Sequence, residues 1–406
     1  IILIYIGLGA VYLGSIPRIF TDETWDSSLG YNVANGEGLK HPFIINFGGM
    51  DVHFVQNRVV LPLVCATVYK FIGYSFVGSR ACSLFFGVLG LVGLYSVMRR
   101  WYGEKQAFWA TFATIIHPWF FEVSRRVRPE IYYIALSMLF LYAVVRYFDS
   151  GLRKTAFGVG VIAGLTSLTH PNGLIIIFSI GITLIFWLRG KPIGRLILWA
   201  SIGFVLTIMP YVIYVLWAVQ DPQVSFIEQM RFSELHDSIL SCEIGRWKGF
   251  LQWPKGLPLA IIMLISWFFA WYRSPRTDKI IATIIASFLL FLPLMTLNPE
   301  PRYLAVIVPF FCALAVRLIW RIASDNNLVW NDFHKSRLGI GIGIALVYSF
   351  MCIAAIGLMF HRLRGADFNR VVDHIASVVG PGKRVFGSPV LWIGHDRYRY
   401  GPYPMD

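Results

Sequence analysis

The sequence predicts an all-α polytopic membrane protein, and three observations predict it. Of its 406 residues 56% are hydrophobic and 14% charged, where a soluble domain is about 25% charged. Apolar runs close to the roughly 20 residues needed to cross a bilayer recur along the whole chain. The basic residues gather in short loops at alternate ends of those runs, as the positive-inside bias requires.

Residues 1–20 supply the first span, and an acidic loop follows it, Thr21-Asp22-Glu23-Thr24-Trp25-Asp26, continuing to about Asn57. Residues 58–76 are apolar but interrupted by Pro62 and Lys70. Further spans are expected at 81–98, 106–121, 131–147, 156–169, 174–188, 196–218, 257–271, 280–297, 303–320 and 338–360. Parity decides the interrupted stretch. If 58–76 does not cross, the loops bearing Arg99, Arg100 and Lys105, Arg153 and Lys154, Arg189, Lys191 and Arg195, Arg273, Arg276 and Lys279, and Arg321, Lys335 and Arg337 all share the cytoplasmic side. The stretch therefore reads as a juxtamembrane helix on the outer surface, leaving about eleven transmembrane helices.

The outer side then holds the Asp22 loop, 122–130, 220–256, 298–302 and everything after His361. Residues 220–256 look amphipathic and read either as a cover for a lipid-side cleft or as a surface-lying connector. Residues 1–361 form the membrane domain. Residues 362–406 open a small α/β extracytoplasmic segment: a helix over 367–379, a Gly380-Pro381-Gly382 turn and a strand over 383–386. The chain starts at Ile1 without Met and stops inside that segment, so both ends are expected to be incomplete.

The net charge of +14 is spread through short loops, which argues against nucleic acid and for anionic lipid headgroups. The five cysteines are isolated and match neither a metal-ligand spacing nor a disulfide framework.

Two adjacent carboxylates at the mouth of a hydrophobic segment need a reason. Asp22 reads as a catalytic base with Glu23 beside it, placed where a lipid-borne substrate and a water-side acceptor both reach it. The bland reading is a solvated loop acid. A second cluster, Ser124-Arg125-Arg126-Val127-Arg128-Pro129-Glu130, runs against the positive-inside bias. Arg125 and Arg128 match the oxygens of a lipid phosphate, or else pair with headgroups, Glu122 and Glu130. A third, Asn298-Pro299-Glu300-Pro301-Arg302-Tyr303, is stiffened by two prolines and sets Arg302 at the start of a span, either to grip the same phosphate or to snorkel. His53 and Arg58 in the first loop are weaker substrate-binding candidates, and His170 in His170-Pro171-Asn172-Gly173 reads first as a turn residue.

In order, the chain shows an acidic pair after the first span, a Leu-Pro-Leu stretch ending in Gly-Ser-Arg80, Ser-Arg-x-x-Arg-Pro-acid, Thr-His-Pro-Asn-Gly, and Pro-Arg302-Tyr303. In that order they resemble the GT-C superfamily of membrane glycosyltransferases, nearest to bacterial relatives of protein O-mannosyltransferases and of the lipid A aminoarabinose transferase. The resemblance runs from Ile1 to about Phe360. It implies two juxtamembrane helices in the first outer loop, a polyprenyl-phosphate sugar donor, and inversion at the anomeric carbon. It matches Asp22 to a first-loop catalytic acid, Glu130 to a second-loop acid and Arg302 to a basic residue at the lipid phosphate.

Two departures stand out. Arg58 lies at some distance before Val60-Leu61-Pro62-Leu63, where members usually place a basic residue directly before Pro-Pro-Leu. Glu130 stands where many have Asp, which leaves the cofactor, a divalent cation or none, open. The expected partners are a polyprenyl-phosphate-linked sugar, a protein, lipid or glycan acceptor, and membrane lipids, with no nucleic acid. The expected place is the bacterial cytoplasmic membrane, with the site on its extracytoplasmic side. The rival classes are a lipid or sugar transporter, disfavoured by the scarcity of ionisable residues within spans, and a non-catalytic subunit of a membrane complex.

Overall fold

A computed structural model describes residues 1–41, 48–187, 193–231, 238–252, 256–272, 274–296, 300–324, 334–363, 368–380, 383–386, 388–394 and 399–401. In chain order the helices are α1 (Ile2–Ala10), α2 (Thr21–Ala34), α3 (Val60–Ile72), α4 (Phe76–Tyr102), α5 (Glu104–Ile115), α6 (Pro118–Val123) and α7 (Pro129–Ser150). They continue as α8 (Arg153–Thr169), α9 (Pro171–Trp187), α10 (Ile193–Ala218), α11 (Phe226–Arg231), α12 (Ile239–Leu251), α13 (Leu257–Trp271) and α14 (Arg276–Met295). A 3-10 turn, Pro301–Ile307, leads into α15 (Val308–Ser324), then α16 (His334–Leu363) and α17 (Phe368–Val379). Last come β1 (Arg384–Phe386), a 3-10 turn (Pro389–Gly394) and β2 (Arg399–Gly401), the two strands pairing in parallel.

Among the described residues six helical stretches are long and apolar enough to cross a membrane: α4, α7, α10, α14, Pro301–Ala323 and Leu338–Arg362. The chain is a multi-pass membrane protein. Other expected spans are shorter helices. The run 1–20 is helical only to Ala10, then turns through Gly14, Ser15 and Pro17. The run 106–121 breaks at His117, extended as a residue before proline must be, and divides into α5 and α6. The expected span 303–320 opens with the 3-10 turn. The end of 280–297, the turn residues Asn298 and Pro299, Pro381 and Gly382, and the basic residues Arg189, Lys191 and Arg273 lie outside the described residues.

The acidic stretch expected as a loop is a helix. The Glu23 carboxylate accepts from Phe20 N at 3.1 Å, reaching back to satisfy the backbone N–H at the start of α2. With Asp22 and Glu23 in its first turn, the helix dipole favours both charges. With α3, α2 forms a pair of helices in the first loop, α3 occupying the stretch read as juxtamembrane. One apolar core runs through α4, α5, α7, α14 and α15, while α10 keeps large aliphatic and aromatic side chains on its outside, as a lipid-facing helix does.

The first loop is pinned from outside. Gln229 of α11, wholly buried, accepts from Val55 N at 2.9 Å and donates to Gly48 O and His53 O, each at 2.8 Å. Tyr211 of α10 donates to Val55 O. The tail closes over α2 from the other side, Trp392 meeting Tyr31 and Tyr74 edge-on at ring distances of 5.7 and 5.3 Å.

Candidate active site at the end of α2

Asp22 lies at the point where the start of α2, the α6–α7 connection and the 3-10 turn at Pro301 meet. Its carboxylate, 29% exposed, pairs with Arg128. Arg128 also donates to Glu130, Nε to Oε2 at 3.2 Å and Nη2 to Oε1 at 2.9 Å. One guanidinium thus bridges two acids. Local sequence explains its position: Arg128 is the extended residue before Pro129, which starts α7, and Glu130 sits in the first turn where the dipole favours it.

Phe20, one residue before α2, is the second centre. Three guanidinium groups face its ring, Arg302 at 4.5 Å from the centroid, Arg128 at 5.7 Å and Arg126 at 5.8 Å. Arg302 donates to Glu300 Oε2 through Nε and Nη2 at 2.9 and 2.6 Å, leaving a buried Nη1 with no hydrogen-bond acceptor among the described residues. Arg126 pairs with Glu122 at 2.7 Å. Each of the three guanidinium groups is already paired with a carboxylate, and because a desolvated unpaired N–H is costly, the buried Nη1 of Arg302 is the donor best placed to take a further acceptor.

Further along the face of α2, Asp26 is 3% exposed and lies 3.8 Å from the Arg58 guanidinium. Burial raises its pKa to about 7; Arg58 opposes the rise, and the charges of Glu130 and Glu23 add to it. His170, buried at the α8–α9 turn, accepts from Asn172 N at 3.1 Å, and its ring faces Tyr303 at 5.3 Å. Burial, with the positive charges of Arg58 and Arg128, lowers it to about 3 against the pull of Glu130, so it is neutral.

Asp22, Arg128, Glu130 and Arg302 are therefore brought together, with Arg58 alongside. Three expected site residues are used otherwise. Glu23 is wholly buried, and its two oxygens take four hydrogen bonds, from Arg80 Nε (3.0 Å) and Nη2 (2.8 Å), Val127 N (2.9 Å) and Phe20 N (3.1 Å). A carboxylate has about four acceptor sites, so none is left for a substrate. Arg125, also wholly buried, donates to the backbone oxygens of Leu8 (2.9 Å), Val11 and Ile16 (3.1 and 2.9 Å), satisfying carbonyls at and beyond the end of α1 instead of a phosphate. His53 meets Trp217 and Tyr214 edge-on, at ring distances of 4.7 and 6.2 Å, and belongs to the first-loop clamp.

Sequence reading passed over Phe20, Asp26 and Arg126 as site residues. The spacing of Asp26, four residues after Asp22, would have placed it on the same face once α2 was recognised as a helix. Among the described residues no group of three His, Cys, Asp or Glu side chains is arranged to hold a metal ion. Asp22 and Glu130 share Arg128, which a divalent ion would have to displace, so these residues as they stand do not fit one.

Residues 58–216 match the family model described as dolichyl-phosphate-mannose-protein mannosyltransferase. No curated protein sequence matches. Among solved structures, ArnT from Cupriavidus metallidurans bound to undecaprenyl phosphate is similar with a TM-score of 0.71 at 13% identity, covering 97% of this chain and 83% of that one. The Archaeoglobus fulgidus oligosaccharyltransferase tethered to an acceptor peptide is similar with a TM-score of 0.59 at 13% identity, covering 98% and 63%. The oligosaccharyltransferase AglB of the same organism, in complex with an inhibitory peptide and a dolichol-phosphate, reaches 0.54 at 16% identity, covering 88% and 55%. With six apolar spans among its described residues, the helix pair of the first loop and a short C-terminal strand pair, the chain shares the all-α polytopic fold of the ArnT and oligosaccharyltransferase structures.

Proposed function

We propose that this protein transfers a sugar, with inversion, from a polyprenyl-phosphate donor to an acceptor hydroxyl on the outer side of a bacterial cytoplasmic membrane. The observation that carries the reading is the ring of Arg302, Arg128 and Arg126 around Phe20, with the unpartnered Nη1 of Arg302, beside the carboxylate of Asp22. The undecaprenyl phosphate and dolichol-phosphate bound in two similar structures support a lipid phosphate as the anion.

In this reading the donor phosphate sits against Arg302 and takes Arg128 from Asp22, so that substrate binding itself frees the base. Glu130 keeps its hold on Arg128 and sets its position. The acceptor O–H gives its proton to the Asp22 carboxylate as its oxygen bonds to the anomeric carbon. On the opposite face the bond from that carbon to the phosphate oxygen breaks. The electron pair leaves with the polyprenyl phosphate, whose growing charge the guanidinium groups stabilise in a site of low dielectric. Neutral His170 and Tyr303, in ring contact at 5.3 Å, lie near Glu130 and Arg128 without adding charge.

The test is sugar transfer from a radiolabelled polyprenyl-phosphate sugar in proteoliposomes. Asp22→Asn is expected to lose at least a hundredfold in rate, within the range general-base catalysis supplies, while still inserting and folding. Transfer at the wild-type rate by a folded Asp22→Asn protein would remove Asp22 from the reaction.

A further inference from the structure

Far from Asp22, the helices α7 to α10 border an apolar crevice of about 460 Å³, within the size range of small-molecule sites. Its α7 wall begins at Phe140, ten residues past Glu130 and so about 15 Å along the helix axis. Its α10 wall runs from Ile193 to Val205, the first half of that helix. It is therefore separate from the arginine cluster.

The crevice follows from how the helices pack. On one side α8 and α10 approach so closely that a Cβ on Gly160 would come within 1.9 Å of the Ala200 carbonyl oxygen, and one on Gly203 within 2.3 Å of that of Phe157. On the other side α9 packs against α14. Among the described residues α9 and α10 scarcely touch each other, and the crevice lies between them. Gly181 of α9 lines it, and a Cβ there would meet no atom within 4 Å.

The walls are apolar apart from Ser201, so water would find too few hydrogen-bond partners. Its lining side chains Phe178, Ile182, Ile185 and Ile197 are also exposed on the outside of the bundle, so the crevice opens toward lipid. Hydrocarbon is the remaining occupant. The same end of the bundle carries Arg153 and Lys154 in the first turn of α8 and Arg195 in the first turn of α10. Cations at helix N-termini are opposed by the dipole. Among the described residues none of the three has an ion pair: the nearby Asp149 is held by Arg100, and Arg153 rests only against the Trp199 ring at 5.7 Å. An anion between them would offset the dipole and the mutual repulsion.

We infer that this crevice holds one acyl chain of an anionic phospholipid whose phosphate lies among Arg153, Lys154 and Arg195, in the leaflet opposite the candidate active site. The inference does not depend on the transfer reaction. It is tested by thermal unfolding of delipidated protein in detergent with added phosphatidylglycerol or phosphatidylcholine, and by native mass spectrometry of protein purified gently from membranes. Wild type is expected to be stabilised more by phosphatidylglycerol than by phosphatidylcholine and to retain about one anionic phospholipid per chain. Gly181→Leu, which fills open space, is expected to fold and to lose both the response and the retained lipid. The double variant R153Q/R195Q is expected to respond equally to the two lipids. A phosphatidylglycerol response undiminished in Gly181→Leu, no preference in wild type, or a retained lipid that is zwitterionic or polyprenyl would overturn the inference.

Discussion

Arg80 donates Nε and Nη2 hydrogen bonds of 3.0 and 2.8 Å to the two carboxylate oxygens of Glu23, and both side chains are completely enclosed. This pair ties the first turn of α2 to α4 and, through Val127 N, to the loop that carries Arg128. It holds Asp22 in place without touching a substrate. Removing one partner of a buried pair leaves a charge with nothing to offset its desolvation, at about 3–5 kcal/mol. Arg80→Leu is expected to lose that much in thermal unfolding, and the double replacement of Arg80 and Glu23 by Met to recover most of it.

Arg125 and Arg302 were both expected at the phosphate, and the structure separates them. Arg302→Gln is expected to raise the donor KM at least tenfold with little change in stability. Arg125→Gln, which strands the carbonyls of Leu8, Val11 and Ile16, is expected to lower the melting temperature with the donor KM close to wild type. The comparison needs only the two kinetic curves and two unfolding curves. Similar KM values for the two variants would contradict the assignment.

The all-α polytopic fold and the six long apolar helices were legible in the sequence because they rest on a local signal, apolar length, and the grouping of Asp22, Arg128, Glu130 and Arg302 was suggested by charges set at the ends of apolar runs. The division of labour within each cluster was not. Whether Glu23 or Asp22 faces the cleft depends on the partner 57 residues on at Arg80, and whether Arg125 or Arg128 does depends on where α1 ends. Those are properties of packing, not of spacing. The helical state of the acidic stretch was readable in principle, since Asp22 and Glu23 are the acidic pair that a first helical turn favours.

Asp26 supplies a pH dependence of stability. Its folded-state pKa of about 7 lies above the unfolded value of about 3.9, because burial favours the neutral acid. The folded state then binds its proton more tightly. Its contribution is fully present below about pH 4 and is lost as pH rises through about 7. The melting temperature of the wild type relative to Asp26→Asn is expected to fall between about pH 5 and 8. A difference that stays flat across that window would show that Asp26 is already ionised there.

Gly49 has φ of +66° and packs where a Cβ would lie 2.3 Å from the Gln223 carbonyl oxygen. Gly49→Ala is expected to cost about 1–3 kcal/mol and to loosen the clamp that Gln229 makes on the first loop. Hydrogen exchange at Val55 N, which is bonded to Gln229, should rise in that variant while exchange in α7 stays at the wild-type level.

The most direct test of the central claim is the binding of undecaprenyl phosphate to purified protein, followed by tryptophan fluorescence. If the guanidinium groups around Phe20 are the phosphate site and Arg128 is shared with Asp22, Arg302→Gln should weaken binding at least tenfold. Asp22→Asn, which releases Arg128, should bind as tightly as wild type or more tightly. Wild-type affinity in Arg302→Gln, or loss of binding in a folded Asp22→Asn protein, would contradict the account.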